Sequence, residues 1–197
     1  AYHYFRIFGT WTEAWDGKVL DLSKMNEGYR YADWLLTVPI LLAELVLVLG
    51  LTKERTRSLI GRLVVAALAM VALGYPGEVS KDSGTQTLWG ILSTLPFIYI
   101  LYVLFVELGG ANVAAAAKAK LNGLRYLILG VWGVYPIAYI LGHDNPFIDD
   151  PATAEVARQV GYSIADVLAK PLYGIIIVGI AMTLSNSDDH APELKAA

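Results

Sequence analysis

Asp166 and Lys170 stand four residues apart in a run made otherwise of Leu, Ile, Val, Gly and Ala, so a helix would carry both on one face, one turn apart. The simplest use of such a pair is a structural ion pair between helices. Lys170 is followed by Pro171, however, and a lysine held away from water has a lowered pKa and an amine suited to forming an imine with an aldehyde. Imine chemistry is the stronger reading of the pair.

A second set lies near the start. Asp33, Thr37 and Glu44 fall at separations of four and seven, which places them on one helical stripe. Eleven residues at about 1.5 Å each set the two carboxylates roughly 16 Å apart along the axis, the length of a proton path with two stations. Glu44 lies among Leu, Val and Ala, where desolvation raises a carboxylic acid's pKa and keeps it protonated. Arg30, one turn before Asp33, together with a cation at Lys170, would keep Asp33 ionised. One site is then ready to give a proton and the other to take one. Arg30 also sits near a helix end, where the bland alternative is that it snorkels to the headgroups.

The elements that must position these groups are membrane spans. Of 197 residues, 56% are hydrophobic and 17% charged, with a mean hydropathy of +0.50, too apolar for an ordinary soluble domain of this size. Five stretches, roughly 28–51, 56–78, 85–108, 121–142 and 158–185, reach the ~20 residues that a hydrocarbon core requires. Charges inside such spans cost about 2.5–3.5 kcal/mol each on insertion scales, which makes Arg30, Asp33, Glu44, Asp166 and Lys170 functional candidates. The chain has no cysteine, so disulfides and thiolate chemistry are excluded; His3, His143 and His190 suggest no metal cluster, and no basic stripe suggests nucleic acid. The net charge of −3 says less than where the charges sit.

Residues 1–9 read as a helix stub, without the features of a signal peptide, followed by a small hairpin turning at Asp16-Gly17 over the membrane surface. Lys53, Arg55 and Arg57 in one connection and Lys118 and Lys120 in another make those two loops cytoplasmic; the 143–156 connection is acidic. The hairpin then lies outside. Residues 1–185 form one transmembrane domain, and 186–197 are a polar cytoplasmic tail that reads as disordered.

The run RYADWLLTVP followed by Glu44, with GYSIADVLAKP later, resembles the microbial rhodopsins, and among them the proteorhodopsin and xanthorhodopsin-like proton pumps. YHYFRIF at the start, LGYPGE at 73–78 and WGVYPIAY at 132–139 extend the match over essentially the whole chain. The resemblance implies an all-α, seven-helix bundle, of which this chain supplies the end of helix B and helices C to G, with the hairpin in the B–C loop. The first helix and most of the second are not in it.

Carried over by position, the resemblance implies all-trans retinal on Lys170 as a protonated Schiff base. Asp33 would be primary counterion and proton acceptor, Asp166 second counterion, Glu44 cytoplasmic donor, and Thr37 the threonine between acceptor and donor. His3 would hydrogen-bond the acceptor, and Arg30 would lie below the counterions. Trp34, Trp132, Tyr135 and Pro136 would sandwich the polyene, Tyr4 and Tyr162 would lie near the counterions, and Gly74 and Gly77 would let the neighbouring helix approach the chromophore. Ordinary core packing is the alternative for each aromatic taken singly. Leu41 stands where green-absorbing members carry leucine. Gly90 stands where a glycine opens a window for a carotenoid antenna; its alternative is a small residue easing helix contact.

The implied function is a light-driven outward proton pump in the cell membrane, multi-pass, in contact with the lipid bilayer, with a cytoplasmic C-terminus and a homo-oligomeric state, pentamer or trimer. It would be a transporter and not an enzyme. A sensory rhodopsin is the competing reading, against which Glu44 argues. An imine-forming membrane enzyme is a second, for which no substrate-binding constellation is visible.

Overall fold

The computed structural model describes residues 2–16, 19–109, 115–142 and 147–189. The helix α1, Tyr2–Ala14, runs past the stub expected at 1–9 and leads into an antiparallel hairpin of β1 (Trp15–Asp16) and β2 (Val19–Leu20), with Trp15 opposite Leu20. The expected hairpin is present, with Asp16 in its first strand and not in the turn; residues 17 and 18 lie outside the described residues. A 3-10 turn at Leu22–Lys24 follows, then α2, Gly28–Val48.

Polar caps and one glycine set the helix ends. Beyond α2, Gly50 has φ +60°, a left-handed conformation that glycine takes without steric cost. Thr52 accepts from the Arg55 amide at 3.4 Å to cap α3 (Lys53–Val79), and Asp82 accepts from Thr85 at 2.7 Å to cap α4 (Ser83–Tyr102). Asp150 accepts from Thr153 at 2.8 Å and, with Pro151 in the first turn, starts α7 (Pro151–Val167). That start is earlier than the 158 expected, because the polar residues Glu155, Arg158 and Gln159 are buried by partners and not by solvent. Between them α5 (Ala115–Trp132) and α6 (Val134–Leu141) form one span interrupted at Gly133.

Two π-turns break the regular ladder. Val103–Glu107 extends α4, and Leu168–Leu172 joins α7 to α8 (Tyr173–Asp189). The second holds Lys170 and Pro171; a proline has no N–H to give, and a wide turn accommodates the gap. The helix α8 continues through Asp189, past the boundary expected at 185, and residues 190–197 lie outside the described residues.

Among the described residues, five stretches are long and apolar enough to cross a membrane: Gly28–Val48, Lys53–Val79, Ser83–Glu107, Lys118–Leu141 and Pro151–Asn186. α1 packs on α2, α2 on α3 and α3 on α4, while α8 packs on α5 and α7 on α6. Leu36, Ile91 and Ile175 point outward, as lipid-facing side chains do. Inside, Leu42, Leu45, Leu63, Ile100, Leu124 and Ile128 fill the half of the bundle nearer the basic connections. Tyr31, Trp34, Val71, Ala138 and Tyr162 fill a smaller cluster toward the hairpin.

Candidate functional site

Lys170 and Asp166 lie one turn apart where α7 passes into the π-turn, and α2 brings Asp33 across from the other side. The Lys170 Nζ donates to Asp33 Oδ2 at 2.5 Å and to Asp166 Oδ1 at 2.9 Å, with the Tyr4 hydroxyl at 3.5 Å. The lysine expected to do imine chemistry therefore sits between the two carboxylates expected to serve it. The Thr37 hydroxyl donates to the Asp33 carbonyl at 2.8 Å and lies 3.5 Å from its Oδ2. His3 Nδ1 lies 3.5 Å from Asp33 Oδ1, so α1 also reaches the site.

Asp166 is the more heavily bound carboxylate. Besides Lys170 it accepts from Trp34 Nε1 at 2.9 Å, from the Tyr135 hydroxyl at 2.8 Å, from Arg30 Nη1 at 3.0 Å and from the Tyr4 hydroxyl. A carboxylate with this many donors is held in one orientation. Arg30 is 1% exposed, which removes the snorkelling alternative, and its partner is Asp166 and not the Asp33 expected from the sequence. Helix direction explains the difference: the long guanidinium crosses the bundle to α7, where Gln159 Oε1 also accepts from Nη2 at 2.8 Å.

Beside Lys170 opens a cavity of about 840 Å³, open mouth included. Trp34, Leu41, Gly74, Gly90, Trp132, Tyr135, Pro136 and Tyr162 line it, together with Lys170. Trp34 packs edge-on against Tyr135 and Tyr162, each with centroids 5.0 Å away. A Cβ on Gly74 would come 3.2 Å from the Tyr31 hydroxyl, and one on Gly90 would come 3.1 Å from the ring of Tyr139.

Two expectations need correction and one is refined. Gly77 is not on the cavity wall: a Cβ there would meet the Tyr139 hydroxyl at 2.2 Å and Trp89 at 3.0 Å, so it serves helix contact. The ring of Tyr162 stands against Trp34 and the Arg30 guanidinium, while its hydroxyl donates to Glu78 Oε2 at 3.0 Å; the tyrosines that hydrogen-bond Asp166 are Tyr4 and Tyr135. Glu44 lies on an exposed face of α2, so the desolvation expected for it is not supplied by the described residues.

A second polar cluster, nearer the hairpin, escaped the sequence reading. Glu27, Glu78, Glu155, Arg158 and Gln159 are all buried. Arg158 pairs with Glu27 at 3.3 Å, with Glu78 at 3.0 Å and with Glu155. Gln159 Nε2 donates to Glu27 at 2.5 Å and to Glu155 at 2.9 Å, while its Oε1 holds Arg30, so one amide joins the two clusters. Burial pushes the Glu27 carboxyl above its ordinary value, with Arg158 pulling the other way. Gly142 makes room, since a Cβ there would meet Arg158 Cδ at 2.1 Å. The signal was available: Glu155, Arg158 and Gln159 stand at i, i+3 and i+4, one helical face.

A membrane bundle with a lysine set between two aspartates at the end of an aromatic cavity defines a class of retinal-type membrane proteins, and comparison with known proteins agrees. The family model described as bacteriorhodopsin-like protein matches residues 1–184. The chain belongs to that family, the type 1 microbial rhodopsins. It is 31% identical over 191 residues to the green-light absorbing proteorhodopsin of Gamma-proteobacterium EBAC31A08, covering 94% of this chain and 70% of the relative. It is likewise 31% identical to archaerhodopsin-2 of Halobacterium sp. (strain aus-2), covering 98% and 70%. Among solved structures, thermophilic rhodopsin superposes with a TM-score of 0.86 at 49% identity, over 95% of this chain and 76% of that one. Xanthorhodopsin, described as a light-driven ion pump with dual chromophore, gives 0.84 at 45%, over 95% and 77%.

Proposed function

We propose that this protein is a light-driven outward proton pump that binds all-trans retinal through Lys170. The observation that carries the reading is the placement of Lys170 Nζ 2.5 Å from Asp33 and 2.9 Å from Asp166 at the end of the aromatic cavity. The cavity fits a long apolar ligand: Trp34, Trp132, Tyr135 and Pro136 supply walls, and Gly74 and Gly90 leave space where side chains would intrude. Relatives named for proteorhodopsin and for a light-driven ion pump support it.

When bound, the retinal supplies a light-driven change in the geometry and basicity of the Lys170 nitrogen. The protein's own groups then move the proton. Asp33, closest to Nζ and less heavily bound than Asp166, takes the proton from the lysine nitrogen, and His3 adjusts its affinity. Asp166, fixed by Arg30, Trp34 and Tyr135, stays ionised and holds the site's charge. Glu44, on the same stripe of α2 toward the basic end, returns a proton to the nitrogen from the other side. Direction follows from which side each carboxylate stands on.

The reading extends to green absorption, with Leu41 on the cavity wall, and to a carotenoid antenna seated at Gly90 beside the ring of Tyr139. It extends also to a homo-oligomer in the cell membrane and, on the strength of the basic connections, to a cytoplasmic C-terminus. Transient absorbance after a flash tests the donor: Glu44→Gln should leave loss of the proton from Lys170 unchanged and slow its return by about tenfold or more, within the range for a missing proton donor. An unchanged recovery time would remove Glu44 from the path.

A further inference from the structure

Between Lys170 and Glu44 the bundle interior is apolar, with Leu42, Leu45, Leu124 and Ile128 in one cluster, and Tyr173 stands in that cluster only 1% exposed. Its hydroxyl donates to the Leu41 carbonyl at 2.5 Å. Tyr173 is three residues past Lys170, about one turn toward the basic end, and Leu41 is three residues before Glu44. The wide turn at Leu168–Leu172 resets the helical phase between the lysine and the tyrosine, so the phenol crosses to α2.

Packing alone does not call for the hydroxyl. A phenylalanine would fill the same volume without the cost of drying a polar group, and the bond to a carbonyl already within a helical ladder roughly offsets that cost. A hydroxyl, unlike the surrounding alkyl groups, both donates and accepts a proton.

We infer that Tyr173 is a proton-relay residue for the return transfer from Glu44 to Lys170, its hydroxyl bridging α2 and α8 as the polar foothold between them. This rests on the pump reading above. As the transfer proceeds, the phenol gives a proton toward the Lys170 nitrogen and takes one from the Glu44 side. Waters span the remaining distance. At the end Tyr173 is unchanged, Glu44 is a carboxylate and the lysine nitrogen carries the proton.

The test compares wild type, Glu44→Gln and Tyr173→Phe as full-length protein with retinal in lipid vesicles, following the two proton transfers after a flash. Tyr173→Phe keeps the ring, so the expected result is an unchanged outward transfer to Asp33 and a return slowed about tenfold, equivalent to about 1.4 kcal/mol. Sodium azide, whose conjugate acid is a small mobile proton donor, should restore the return rate, which a packing defect would not allow. In the retinal-free protein labelled at leucine carbonyls, the Leu41 carbonyl carbon should shift when the phenol bond is lost. An unslowed return in Tyr173→Phe beside a slowed one in Glu44→Gln would overturn the role of Tyr173 and leave the pump intact. A wild type that never loses the lysine proton would overturn both.

Discussion

Around Lys170 two carboxylates, Asp33 and Asp166, face two cations, Lys170 and Arg30, whereas toward the hairpin three carboxylates, Glu27, Glu78 and Glu155, share Arg158. The first network is balanced, so a proton can pass from Lys170 to Asp33 without a net charge being created in a dry interior. The second is in excess of negative charge unless a carboxyl holds a proton, and the raised affinity of Glu27 is the same fact seen at one residue. Gln159 links the two through its neutral amide, which accepts from Arg30 and donates to Glu27 and Glu155 and so ties their geometry together without adding charge. A transfer site and a scaffold can thus be built from the same residue types, told apart by how completely charge is matched.

That contrast can be broken from either side. The largest effect should come from Asp33→Asn, which removes the nearest partner of Lys170 Nζ: light-driven transport should be lost and absorption should move to longer wavelength, read by spectroscopy and external pH. Next, Arg158→Met leaves three buried carboxylates without their cation, and stability should fall by about 3–5 kcal/mol, measured as heat or detergent unfolding, while the colour shifts little. Glu27→Gln should be the mildest. A carboxyl whose folded pKa is raised contributes stability that is fully present below its unfolded value of about 4.3 and is lost as pH rises through the folded value. The substitution should therefore flatten the decline in stability as pH rises from about 4.3 through that raised value, seen in unfolding midpoints across pH. A decline unchanged from wild type would mean that Glu27 is not the group holding the proton.

The sequence showed the Lys170 network because single charges in long apolar runs have few other uses, and Asp33, Asp166, Lys170 and Arg30 all stand in such runs. The hairpin-end cluster was hidden for the opposite reason. Glu27, Glu78 and Glu155 lie at helix ends, where charged residues usually meet water, and only the pairing of helix ends in space buries them. Spacing placed Asp166 and Lys170 on one face, but not the partners of the aromatics: that Trp34 and Tyr135 hydrogen-bond Asp166 depends on side-chain direction across two helices. The same gap explains Arg30, assigned to Asp33 by sequence proximity and bound to Asp166 by reach. Glu44 was read from apolar neighbours in sequence, which on a helix need not be neighbours in space.

The pump reading meets its most direct test in the external pH of an unbuffered suspension of cells producing the full-length protein with added retinal, illuminated with and without a protonophore. Acidification in the light that the protonophore abolishes is the expected result. A coloured protein that leaves the pH unchanged would keep the ligand on Lys170 and contradict the pump.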